Sequence, residues 1–85
     1  MFSTLPHIRA VVDHDGAVLL DMRNDAMVTL NATGGYIWSK LREGKTMNEI
    51  VRDLACDTGE DPIAIEGDVR QFLDQLLSSS LISRV

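Results

Sequence analysis

The residues that could do chemistry are few and scattered. Cys56 is the only cysteine, and His7 and His14 are the only histidines. A Cys–His nucleophile pair needs its members within hydrogen-bond reach and an oxyanion site beside them. Nothing in the spacing of Cys56, His7 and His14 brings them together. A lone cysteine gives neither an intramolecular disulfide nor a thiolate cluster, so Cys56 reads as a small residue near a helix end. The two histidines are seven apart across a strand and a turn, with no second-shell or Cys partner to make a metal site, and His7 is expected on a solvated strand face. Gly34-Gly35 is not followed by the Lys-Ser/Thr of a phosphate loop. Asp57, Glu60, Asp61, Glu66 and Asp68 crowd one stretch, where acids offset the dipole of a helix start. Tyr36 and Trp38 could stack on a base or ring, but Trp38 reads as a core residue. No catalytic residue, metal site or cofactor is expected.

A chain of 85 residues makes one small domain, with 1–6 as a loose lead-in. It buries only about 60–65% of its unfolded surface, leaving little room for an enclosed pocket. With 13 acidic and 8 basic residues the net charge is −5, which opposes binding to phosphate backbones. No apolar run reaches the ~20 residues of a membrane helix. No secretory signal precedes Pro6. The expected address is cytoplasmic.

Three strands come first. Ile8, Ala10 and Val12 alternate with His7, Arg9 and Val11. After the Asp13-His14-Asp15-Gly16 turn, Val18, Leu20 and Met22 alternate with Ala17, Leu19 and Asp21. Arg23-Asn24-Asp25 turns the chain into a third strand, Ala26 to Asn31. Short turns make this an antiparallel meander.

At Asn31 the pattern changes to a helical one, with Asn31 or Thr33 as cap and Gly34-Gly35 where a backbone needs room. The first helix is expected from Ala32 to Glu43, with Gly44 as its left-handed stop. Thr46-Met47-Asn48-Glu49 is a capping box opening a second helix, which ends near Gly59. Asp61-Pro62 starts a third that runs to Ser79. Gly67 weakens its first turns. Leu81, Ile82 and Val85 pack back as a tail. The fold class is α+β: a three-stranded antiparallel sheet followed by three helices, winged-helix-like in arrangement.

Binding is a better reading than catalysis. The strand Ala26-Met27-Val28-Thr29 has no charge or proline, so it is unprotected if it lies at a sheet edge. Such an edge captures peptides by strand addition. On the third helix, Ile65, Val69, Phe72 and Leu76 mark the core centre. Leu73 and Leu77 extend the apolar surface along a flank bordered by Glu66 and Arg70, which would form a groove with the strand.

The chain resembles the PqqD-like family of leader-recognition domains from pathways that modify ribosomally made peptides. The resemblance rests on Asp15 to Asp21, on Leu30-Asn31-Ala32-Thr33-Gly34 with Ile37-Trp38, and on Leu41 to Thr46 with Glu49-Ile50. Asp68-Val69 with Phe72-Leu73, and Leu76-Leu77 with Leu81-Ile82, complete it. It implies that a precursor's leader peptide adds as an antiparallel strand to the third strand, over Asp25, Ala26, Met27, Val28, Thr29 and Leu30. Pockets would come from Asp68, Val69, Arg70, Leu73 and Leu77. Leu77→Asp or Arg70→Glu is then expected to weaken leader binding.

Within the family the chain looks most like the free-standing subunit of lasso peptide biosynthesis, which delivers the leader to a separate transglutaminase-like cysteine protease. An alternative is the chaperone-like partner of a radical enzyme in pyrroloquinoline quinone synthesis. That subgroup tends to carry Pro-Glu where this chain has Asp21-Met22. The exposed third-strand edge could also pair with its own copy. A winged-helix DNA-binding protein shares the fold. Its second helix would have to read bases, yet Arg52 and Asn48 there stand among Glu49, Asp53 and Asp57.

Overall fold

The structure is a computed structural model that describes residues 2–84. Among these described residues, five strands and three helices follow one another: β1 (Phe2–Thr4), β2 (Ile8–Asp13), β3 (Gly16–Asp21), β4 (Ala26–Leu30), α1 (Ala32–Arg42), α2 (Met47–Thr58), α3 (Pro62–Ser78) and β5 (Ile82–Arg84). Strands β2, β3 and β4 form an antiparallel sheet in that order. Val12 faces Ala17 and Ala17 faces Leu30; Ala10 faces Leu19 and Leu19 faces Val28. These residues share the inner face of the sheet, against α1. This is the α+β architecture expected from the sequence.

The lead-in is not loose where it is described. Phe2–Thr4 pairs antiparallel with Ile82–Arg84, joining the two ends of the chain in a second, two-stranded sheet. Phe2 packs on the core, and the Arg84 guanidinium lies 5.6 Å from its ring centre. Three-residue strands are too short to show a period, and their pairing is non-local. Within the expected tail, Leu81 and Ile82 are buried as anticipated, and Val85 lies outside the described residues.

The helix ends follow their local chemistry. The Asn31 side chain accepts from Gly34 N–H at 2.8 Å, so Asn31 rather than Thr33 is the cap. Thr46 and Glu49 form the reciprocal capping box. Asp61 accepts from Ile63 N–H at 3.0 Å and Pro62 occupies the first helical position. Gly44 (φ 83°) and Gly59 (φ 72°) adopt the left-handed conformation that ends α1 and α2.

Gly35 is needed for a different reason. A Cβ there would lie 2.9 Å from the Gly16 carbonyl carbon, so α1 and the start of β3 touch backbone to backbone. Gly67, by contrast, has open space around a would-be Cβ and no positive φ. Gly67→Ala is expected to stabilise the protein by about 1 kcal/mol, because a helical glycine loses more chain entropy on folding. A raised urea midpoint would show it.

The core holds Leu19, Trp38, Ile50, Val69 and Leu73, each no more than 1% exposed. Trp38 is thus a core residue, as read. Its Nε1–H has no acceptor, and among the described residues it is the one buried side-chain polar atom in that condition. An orphaned buried donor costs about 1–3 kcal/mol. Tyr36 ties α1 to α2 by donating its hydroxyl to Asp57 at 3.1 Å, with the Lys40 ammonium 5.2 Å from its ring centre. Burial and the Asp57 hydrogen bond raise the Tyr36 pKa above its usual value. Lys40 also pairs with Asp53 at 3.6 Å. Tyr36 therefore closes a helix–helix contact rather than offering a stacking surface. Among the described residues no helix is long and apolar enough to cross a membrane.

Candidate functional site

The β3–β4 turn fixes the strand on which the site depends. Asp21 is buried and accepts from Arg23 N–H (3.0 Å), Asn24 N–H (3.0 Å) and Asn24 Nδ2 (2.8 Å). Asp25 completes the turn with φ 54°, a conformation that Asp tolerates. The His7 imidazole stands 3.9 Å from Asp21. His7 is therefore not on a solvated strand face: its side chain is only 16% exposed, in the connection just before β2.

The Asn24 hydrogen bonds, foremost, hold the Asp21 carboxyl below its ordinary 3.8, helped by Arg23 N–H and His7 and opposed by burial. A folded-state pKa below the unfolded one gives stability that is present above the unfolded value and lost as pH falls through the folded one. Wild type is therefore expected to exceed Asp21→Asn in urea midpoint at pH 7. The gap should close below pH 3.8. A gap independent of pH would remove the carboxylate from this role.

Beyond the turn, β4 is the outer strand of its sheet, with β3 on one side and no strand on the other among the described residues. Beside it opens a cleft of about 600 Å³. Val28, Thr29 and Leu30 form one wall. Ile65, Asp68, Val69, Phe72 and Gln75 of α3 form the other, at the three- and four-residue spacing of one helix face. Gly34 and Ile37 of α1 and Leu54 of α2 also line it, with Thr58 and Glu60 beyond them. The cleft is mainly apolar, and the only charges in its lining are the carboxylates of Glu60 and Asp68.

The structure divides the residues singled out in the sequence. Val28, Thr29, Leu30, Asp68 and Val69 meet at the cleft. Asp25, Ala26 and Met27 precede them along the same edge and are exposed. The expected flank of α3 is not the one that faces β4. Leu73 is 1% exposed and belongs to the core. Arg70 lies outside the cleft lining and pairs with Glu66 at 2.8 Å, one turn earlier on the helix. Leu77 is half-buried against the core, also outside the lining. Phe72 and Gln75 take their place. Phe72 is only partly buried, and its spacing of four from Asp68 was the available signal. Cys56 is exposed on α2, and it stands outside this cleft.

Comparison with known proteins places this geometry. The family model for coenzyme PQQ synthesis protein D (PqqD) matches residues 16–82. Two solved structures share the fold over almost the whole chain. One, described as TbiB1 in complex with the TbiA(beta) leader peptide, is 30% identical, with a TM-score of 0.91 over 98% of this chain and 96% of that one. The other is lasso peptide synthetase B1 complexed with the leader peptide. It is 23% identical, with a TM-score of 0.88 over 98% of each chain. No curated protein sequence matches. The matched segment runs from the glycine that opens β3, through the cleft-forming strand and all three helices, into β5, and on that match the chain belongs to the PqqD family.

Proposed function

We propose that this protein binds the leader segment of a ribosomally made precursor peptide and has no catalytic role of its own. The leader adds as an antiparallel strand to the free edge of β4, over Asp25 to Leu30. The observation that carries this reading is the β4 edge, unpaired among the described residues, beside a mainly apolar cleft of about 600 Å³. Main-chain hydrogen bonds supply affinity and pockets for alternate side chains supply specificity. Side chains on a strand alternate between faces, so every second leader residue enters the cleft, between Val28 and Leu30 on one side and Val69 and Phe72 on the other. Asp68 and Glu60 favour a basic residue at the rim. The two similar structures, each described as a complex with a leader peptide, support the same reading.

Binding then acts through effective concentration, holding the precursor near a processing enzyme. In the lasso pathway that enzyme is a separate transglutaminase-like cysteine protease. The family model's description supports a second reading, in which the enzyme served is a radical enzyme of pyrroloquinoline quinone synthesis. Without peptide, the β4 edge is free to pair with a second copy, and leader should then dissociate that pair in sedimentation.

The test is a titration of the purified protein with labelled leader and core peptides from its neighbouring precursor gene. Saturable binding of leader alone is the expected result. No binding of any adjacent leader would end this reading and turn attention to duplex DNA.

A further inference from the structure

The outward face of the large sheet, away from α1, is apolar where the solvated face of an antiparallel sheet is commonly polar. The register sets its rows. Arg9, Leu20 and Met27 share one row, Val11, Val18 and Thr29 the next, and Asp13 stands opposite Gly16 at the far end. Among the described residues, four of the five exposed large apolar side chains belong to this face. They are Val11, Leu20, Met27 and Met22, which continues the parity of Leu20 just past β3. A contiguous exposed apolar face marks an interaction surface.

Two features of the face select its occupant. Its charged strand residues are Arg9 at one end and Asp13 at the other. Among the described residues neither has an opposite charge within ion-pair distance. Its relief is polarised in the same way. Leu20 and Met27 project into solvent beside Arg9. Toward Asp13 the surface sinks into a hollow of about 200 Å³, lined by Val11, Val18, Thr29 and Gly16 with Asp13 and Asp15. Each end thus carries what the other lacks. A twofold axis across the strands, through the row of Val11 and Val18, reverses the strand direction and turns the face onto itself. It sets Arg9 over the Asp13 of a second copy and Leu20 over that copy's hollow. Such self-complementarity is what an isologous pair requires.

We infer that this protein pairs with a second copy face to face through β2, β3 and β4, with Val11 at the twofold axis and an Arg9–Asp13 pair at each rim. The sheets stack at the usual spacing of about 10 Å. A face of three short strands buries less than the roughly 1,200 Å² of a stable interface, so the pair is a transient one. The β4 edge and its cleft stay open, so the inference does not rest on the leader reading. It also differs from pairing along the β4 edge, which an added strand would displace.

Sedimentation velocity of the full chain, run into the millimolar range, should show a concentration-dependent shift from monomer to dimer. Val11→Asp sets two carboxylates against each other at the axis and should weaken the pair roughly tenfold or more. Val11 is 67% exposed, so its urea midpoint should stay near wild type. Arg9→Asp or Asp13→Arg alone makes both rims repulsive and should weaken association roughly tenfold. An equimolar mixture of those two variants restores attraction at both rims and should recover the wild-type constant within about threefold. Asp13→Arg also gives up the bond that Asp13 accepts from Asp15 N–H. Should that variant unfold, Val11→Asp and Arg9→Asp decide. A wild type that stays monomeric overturns the inference. So does a dimer unmoved by Val11→Asp, or a pair of folded charge variants that associate no better together than apart.

Discussion

Phe72→Ala should lower affinity for the leader peptide by roughly ten- to a hundredfold. The ring stands half-buried on the α3 wall of the cleft, across from Val28 and Leu30. A strand laid on β4 would bring an apolar side chain against it. Losing that contact removes about 1.5–3 kcal/mol of apolar burial, which is one to two decades in dissociation constant. Folding should suffer less, because part of the ring already faces solvent. Arg70→Glu is the informative partner. Arg70 is engaged with Glu66 and lies outside the lining, so its reversal should change affinity by less than about threefold, the scale of an exposed charge. Asp68→Lys, on an exposed residue inside the lining, should weaken binding of a leader with a basic residue, and added salt should recover part of the loss by screening the new repulsion. If Arg70→Glu weakens binding as much as Phe72→Ala, the peptide lies along the flank of Arg70 and Leu77 instead.

Gly16→Ala should be the most destabilising single-methyl change in the protein. Gly16 opens β3 at φ +148°, where L residues are strained. A Cβ there would lie 2.1 Å from the Leu30 carbonyl oxygen, far inside contact distance. Backbone strain and overpacking each cost about 1–3 kcal/mol. Their sum, roughly 2–6 kcal/mol, compares with a total of about 4–13 kcal/mol for a domain of this size. Relief is hard to find, because the clashing atom is backbone and because Gly35 of α1 presses on Gly16 from the other side. Moving the Leu30 carbonyl would also displace the end of β4, so residual folded protein should bind leader poorly. Urea unfolding checks the first part; a Gly16→Ala unfolding free energy within about 1 kcal/mol of wild type would mean that strand and helix can separate here at little cost.

Much of the fold was legible because its signals are local. Asp15-Gly16, Asn31, Thr46 with Glu49, Gly59 and Asp61-Pro62 each satisfy or release backbone groups within a few residues. Their effect does not depend on what packs above them. The β1–β5 pairing was not legible, since it joins two three-residue segments from opposite ends of the chain.

From the sequence alone came the three-stranded meander followed by three helices, the helix ends to within a residue or two, and a strand Ala26–Thr29 with no charge or proline to protect it. The sequence left undecided which parity of β3 faces inward, because Ala17 and Leu19 on one face compete with Val18 and Leu20 on the other. Only the sheet's packing on α1 resolved this, burying Ala17, Leu19 and Asp21 and leaving Leu20 and Met22 exposed. In the same way, the apolar stripe of α3 is wider than any one neighbour can cover. Packing on α2 and β5 put Leu73 inside the core and turned Asp68, Phe72 and Gln75 toward β4. A helical period fixes which residues share a face; the rotation of the helix about its axis is set by the apolar surfaces that close around it.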